Sequence, residues 1–374
     1  MRNKGDWSAK AFESRAKAAA TRGSVTFEAE ERIVQGKGLD SLVDPKQRGV
    51  IRQALNLLVP EGDEFVLKYG VAMPVQTDID TTASMADNVD RAFKVQPKVQ
   101  NLLVQGQKAV LRRYHTQMAT GVVQDRLDSY PFQRSMFEPD NEVERQMGLL
   151  YRERQGADST EDYQIGLFAA AYLADTSITK YGLRGYYFAV GDEIGRDELD
   201  DRILEQVFGK GYREKAFGKN ASRNLPTTKQ VAKVLLENWH AFYLQVGSLR
   251  STTEWWSEVL GQDRVIRLPK TEDLAEVQSV IIGLTEGTLS QKSAESFLFE
   301  SGVSAREAGR VVEACSGIPI GLQASLPNFE KIPMAGARFA SREDIWPIGV
   351  AKPRESRKPK ASADDALAPK DWKL

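Results

Sequence analysis

The densest run of side chains able to do chemistry is Asp78-Ile79-Asp80-Thr81-Thr82-Ala83-Ser84-Met85. Within it Asp80, Thr82 and Ser84 fall at every second position, as D-x-T-x-S. On a tight turn from strand to helix, that spacing points one carboxylate and two hydroxyls into the same small space. Three hard oxygen donors suit Mg2+ (or Mn2+), which keeps several waters and takes few protein ligands. A second carboxylate must come from another strand end, and Asp192 follows the apolar run 186–190. A third loop, 156–161 (GADSTE), precedes an apolar helical stretch and offers Asp158 or Thr160. A plainer reading makes Asp80, Thr82 and Ser84 a helix N-cap with polar neighbours, since those residue types favour caps anyway. Softer metals lack donors. There is one cysteine, Cys315, and the two histidines, His115 and His240, are far apart in sequence.

The elements that must position these loops are read from periodicity, which switches repeatedly between two and 3.6. Strands are expected at 65–77, 116–124, 131–137, 185–191, 239–247 and 264–268. Pro74 is awkward in the first if that strand is central. Helices are expected at 86–113, kinked or divided at Pro97, and at 140–154, 161–175, 197–208, 226–238 and 271–285. Another should carry Trp255 and Trp256, both read as packing residues. Right-handed crossovers then give an α/β fold, doubly wound, with a mostly parallel six-stranded sheet and one antiparallel edge strand. Such sheets bind ligands at the carboxyl ends of their strands, where the strand order reverses. The domain reading is a partly helical extension over 1–64, the sheet domain over 65–285, a helical arm over 286–345 and a disordered tail over 346–374. Within the arm, Ser304 is read as an N-cap.

Composition narrows the function classes. The chain has 374 residues, 51 basic against 52 acidic, and a net charge of -1. That balance gives no electrostatic footprint for nucleic acid, so none is expected as a partner. No apolar run reaches the length of a membrane span. A lone cysteine fits a reducing compartment, and a cytoplasmic location is the expectation. The Walker A pattern G-x-x-x-x-G-K-[ST] does not occur, so any nucleotide hydrolysis would belong to a partner.

With these loops in hand, the chain resembles a von Willebrand factor A (vWA) domain with a metal-ion-dependent adhesion site. The run Asp80-Thr81-Thr82-Ala83-Ser84-Met85 is similar to that family's first metal loop. Residues 156–161 resemble its second loop, in which an Asp or Thr precedes a Glu that opens a helix, and Asp192 resembles its third. The resemblance covers roughly 65–285 and implies a vWA/Rossmann-like fold. It implies a metal set of Asp80, Thr82, Ser84, Asp158, Thr160 and Asp192, and a protein partner that offers an Asp or Glu to the cation. It also implies work beside an AAA+ ATPase or in another multiprotein machine, with no catalysis. Two departures stand out. Asp78 is polar where the family strand is apolar, and Glu193 follows Asp192 where the family has Gly.

A rival resemblance makes the protein an enzyme. Asp78-x-Asp80-x-Thr82 is similar to the D-x-D-x-T motif of haloacid-dehalogenase-like phosphatases. There Asp78 would attack phosphorus and Asp80 would move the proton, with Mg2+ bridging to the phosphate. Asp192 and Asp197 would supply the late acidic motif, and Lys180 the phosphate-binding lysine. This reading leaves Ser84, Met85 and the 156–161 loop without a role.

Overall fold

The structure is a computed structural model that describes residues 28–53, 56–104, 109–153, 160–219 and 224–346. Asp158, residues 1–27 of the expected extension and residues 347–374 of the expected tail lie outside them.

The central sheet has six strands: β1 (Ala72–Asp80), β2 (His115–Val123), β3 (Phe132–Arg134), β4 (Gly185–Gly191), β5 (Trp239–Gln245) and β6 (Val265–Arg267). Their spatial order is β6-β5-β4-β1-β2-β3, and every pairing is parallel except β2 with β3. The order reverses between β1 and β4, which is the place where sheets of this kind open a crevice at their carboxyl ends. Asp80 ends one of these two strands and Gly191 the other.

Both faces of the sheet are covered, so β1, β2, β4 and β5 are buried throughout. Alternation along β1 sends Met73, Val75 and Ile79 into one core, shared with Phe188, Val190, Phe242 and Leu244. The opposite core holds Tyr187, Ala189, Tyr243 and Trp239. With the strand period of two, Gln76, Asp78 and Asp80 share that second face. The helices named below are α1 (Asn88–Val104), α2 (Tyr163–Tyr172), α3 (Arg250–Leu260) and α4 (Leu274–Glu286). Two more, α5 (Gln291–Glu300) and α6 (Ala305–Ala314), follow in the segment read as an arm, with Ser304 and Glu307 forming a capping box.

Several boundaries differ from the sequence expectation, each for a physical reason. The run 65–77 is two strands. Glu64–Leu67 pairs antiparallel with Leu58–Glu61 and with Arg338–Phe339 in a small separate sheet, and β1 starts only at Ala72. Gly70 makes the break, with φ at +85° and a site where a Cβ would sit 2.4 Å from the Arg113 carbonyl oxygen. Pro74 does lie in the central strand. It is tolerated because pairing with β4 begins one residue later, at Val75, and its ring packs over the bare Cα of Gly185. α1 runs through Pro97 as one helix as far as Val104, and residues 110–113, expected to continue it, are a turn. Between the helices expected at 197–208 and 226–238 lies a further one, Tyr212–Phe217.

Residues read as an arm, among them Phe297, Leu298, Val303 and Val311, enter the same core as α1 and α4. Arg310 also pairs with Asp273 just before α4 through two hydrogen bonds.

Candidate functional site

β1 leaves the sheet at Asp80, and a single turn of 3-10 helix, Ala83–Met85, follows before α1. Asp80 Oδ1 accepts from the Thr82 amide at 2.8 Å and from the Thr82 hydroxyl at 2.6 Å. Thr82 Oγ lies 3.2 Å from Ser84 Oγ, and the Ser84 hydroxyl donates to Asp192 Oδ1 at 3.0 Å. One continuous chain of oxygens therefore joins Asp80, Thr82, Ser84 and Asp192 across a sequence gap of 108 residues. This disposes of the N-cap reading. Thr82 makes no side-chain capping bond, and both hydroxyls are turned toward acids.

The third loop is pinned from behind by aromatic residues. Trp256 on α3 and Tyr243 on β5 stack with centroids 4.0 Å apart, and both donate to the Glu193 carbonyl oxygen, at 3.1 and 3.0 Å. Thr252 donates to the Asp192 carbonyl oxygen at 3.0 Å. Tyr163, on α2, stands edge-on to that stack and donates its hydroxyl to Asp80 Oδ2. Gly191 makes room for it, because a Cβ there would sit 1.7 Å from the Tyr163 oxygen. Trp256 is thus a core residue, as its sequence context suggests, that also fixes the third loop.

The second loop departs from expectation. Thr160 Oγ accepts from Arg196 at 2.8 Å, and Arg196 also holds Asp125 at 2.9 Å. The following residue, Glu161, approaches the centre: it is 2% exposed, the Thr82 hydroxyl lies beside it, and the Asp80 charge repels its own. Its Oε2 is buried without a hydrogen-bond partner among the described residues. The backbone at 160–161 pairs with 194–195, which ties the second loop to the third. The sequence gives Glu161 only as the residue that opens a helix, and no local signal marks it, because the Arg196 bonded to Thr160 lies 36 residues away.

Electrostatically the site is a set of acids, Asp80 and Glu161 buried and Asp192 and Glu193 half-buried. Burial pushes the Asp80 carboxyl from 3.8 up to about 7 against its bonds from Thr82 and Tyr163, and the Asp192 charge adds to the rise. Burial likewise raises Glu161 to about 9, with Asp80 and Asp125 repelling it. Asp192 and Glu193 are raised as well, again mainly by burial. Among the described residues no three His, Cys, Asp or Glu side chains form a metal cage by themselves. The donors here are of mixed type, two hydroxyls with carboxylates from three loops, which is a hard-oxygen set suited to Mg2+. The unpartnered Glu161 oxygen and the raised carboxylates are what a missing positive charge would leave, so the residues fit the cation.

Asp78 does not join this cluster. It is wholly buried one strand pleat below, where Gln76 donates to both its oxygens and Tyr187 donates at 2.8 Å. Its oxygens press on the bare Cα of Gly121 and Gly166, where a Cβ would come within 2.2 and 2.7 Å. Arg134, fully buried beside it, supplies a balancing charge. A carboxylate sealed in this way has no line of approach to phosphorus. Lys180 lies over the Trp346 ring and Asp197 accepts from Trp255, so neither is gathered at the site.

No protein-family model matches the chain, and no curated protein sequence matches it. Several solved structures are similar to it. The pilus adhesin SpaC of Lactobacillus rhamnosus GG is 16% identical over 59% of this chain and 32% of its own, with a TM-score of 0.37. Proximal thread matrix protein 1 of the mussel byssus is 11% identical, covering 59% and 47%, with a TM-score of 0.35. The von Willebrand factor type A protein of Catenulispora acidiphila is 12% identical, covering 65% and 48%, with a TM-score of 0.30. The chain thus spans a third to a half of the length of these structures. Likenesses at this level say nothing about activity.

Proposed function

We propose that the protein is a metal-dependent protein-binding module of the vWA kind. Asp80, Thr82, Ser84, Asp192 and Glu161 would hold Mg2+ or Mn2+, Glu161 taking the part first given to Asp158 or Thr160. The bound cation would supply a Lewis-acidic position that a carboxylate of a partner protein can occupy in place of water. The chain's own residues set the rest. Tyr163 and Thr82 orient the Asp80 carboxylate, Arg196 holds the second loop, and Trp256 and Tyr243 fix the third.

The observation that carries this reading is the chain of oxygens from Asp80 through Thr82 and Ser84 to Asp192, at the point where the strand order reverses. With its carboxylates given to the cation, the cluster is proposed to bind a partner and not to catalyse. The partner is proposed as a protein of a multiprotein machine, such as an AAA+ ATPase, with the 286–345 segment as a second contact surface. Among the described residues no helix is long and apolar enough to cross a membrane, and a cytoplasmic setting is part of the proposal.

Capture of partners from extract, with wild type and Asp80→Ala, in Mg2+ and in chelator, tests it. Partners should be retained by wild type in Mg2+ alone. Equal retention in all four conditions would refute the proposal.

A further inference from the structure

Beside the cluster, a groove of about 680 Å³ opens at the carboxyl ends of β5 and β6. Its walls include Asn88 and Arg91 at the start of α1, Gly247 after β5, Arg267 at the end of β6, and Lys270 and Glu272 between β6 and α4. The groove adjoins the site through the backbone. Asn88 is four residues beyond Ser84, and the Val246 amide donates to the Gly191 carbonyl oxygen at 2.7 Å, next to Asp192. Thr271 donates to Asn88 at 2.7 Å, which locks the two walls together.

The charge of this groove is opposite to that of its neighbour. Three cations face one carboxylate, and only Arg91 pairs with it, at 3.5 Å between half-exposed side chains. Arg267 spends one nitrogen on the Gly247 carbonyl oxygen and is otherwise exposed. Lys270 is exposed and makes no ion pair among the described residues. A bare acidic cluster with a basic groove beside it is a divided surface: one end takes a cation, the other takes anions directly. An extended acidic segment would satisfy both at once, with one carboxylate at the cation and later ones along Arg267 and Lys270.

We propose that the groove at Arg267 and Lys270 is a second subsite for the same partner, which therefore presents a run of acidic residues rather than a single Asp or Glu. The inference rests on the metal reading above and names the chemistry of the partner. Linking two contacts in one segment makes the second intramolecular, so affinity rises without any new bond at the metal. Because the groove's charges are exposed, its contribution falls with salt.

The test uses two fluorescein-labelled peptides, octaglutamate and a glycine-serine peptide with a single glutamate, read by anisotropy on the full chain. In Mg2+, octaglutamate should bind about tenfold tighter or more than the single-glutamate peptide. The double variant Arg267→Gln with Lys270→Gln, both at exposed positions, should erase that advantage and leave single-glutamate binding as it was. An advantage that survives in the double variant overturns the inference while sparing the metal reading. Binding of both peptides that is indifferent to EDTA and to Asp80→Ala sinks the metal reading, and this inference with it.

Discussion

Replacing Asp80 by Asn separates stability from metal binding, because the two should move in opposite directions. Burial raises the Asp80 carboxyl from 3.8 to about 7. A folded-state pKa above the unfolded one gives stability that is whole below 3.8 and is lost as pH rises through about 7. At about 1.4 kcal/mol per pKa unit, the ionised carboxylate at pH 8 costs a ceiling of the order of 4 kcal/mol in the metal-free protein. Asparagine removes that charge and keeps its shape. Its carbonyl oxygen still accepts from the Thr82 amide and hydroxyl, and its amide faces the Tyr163 oxygen. Metal-free Asp80→Asn should therefore match or exceed wild type in urea unfolding at pH 8. Wild type should gain stability with Mg2+, by about 2.7 kcal/mol at a hundredfold excess over the dissociation constant, and the variant should gain none. A variant that is less stable without metal, or that gains as much from Mg2+ as wild type, refutes the reasoning.

Glu161→Gln should weaken Mn2+ binding in calorimetric titration by about tenfold or more, whereas Thr160→Ala should cost less, since Thr160 is committed to Arg196. Equal losses would return the second-loop role to Thr160. Far from the site, Glu286 is buried between the hydroxyls of Tyr114 and Tyr186, and burial raises it from 4.5 to about 7. Its contribution is whole below pH 4.5 and is lost as pH rises through 7. Glu286→Gln should accordingly gain on wild type across that window by up to about 3 kcal/mol. A stability difference that stays flat from pH 4.5 to 8 would contradict this.

The sheet is legible where a strand is an apolar run ended by a polar break, as 186–190 ends before Asp192. β4 coincides with its expected range, and Asp80 and Asp192 could be found from sequence because each stands at such a break. What escaped depends on residues distant in the chain. The split of 65–77 turns on Gly70 meeting Arg113, and the burial of Asp78 needs Gly121 and Gly166. The bond from Arg196 to Thr160 spans 36 residues, and sequence gives no reason to expect it. The packing of residues 286–345 against α1 and α4 is likewise a matter of tertiary contact. Capping boxes such as Ser304 with Glu307 are local, and Ser304 was identified from its neighbours alone.

Anomalous diffraction from crystals grown with Mn2+ would speak most directly to the metal centre. A peak should lie in bonding contact with oxygens of Thr82, Ser84 or the carboxylates at 80, 161 and 192, with water at one position. A density map without such a peak, or with Mn2+ bound elsewhere on the chain and the cluster closed on itself as Ser84 closes on Asp192 here, would contradict the account.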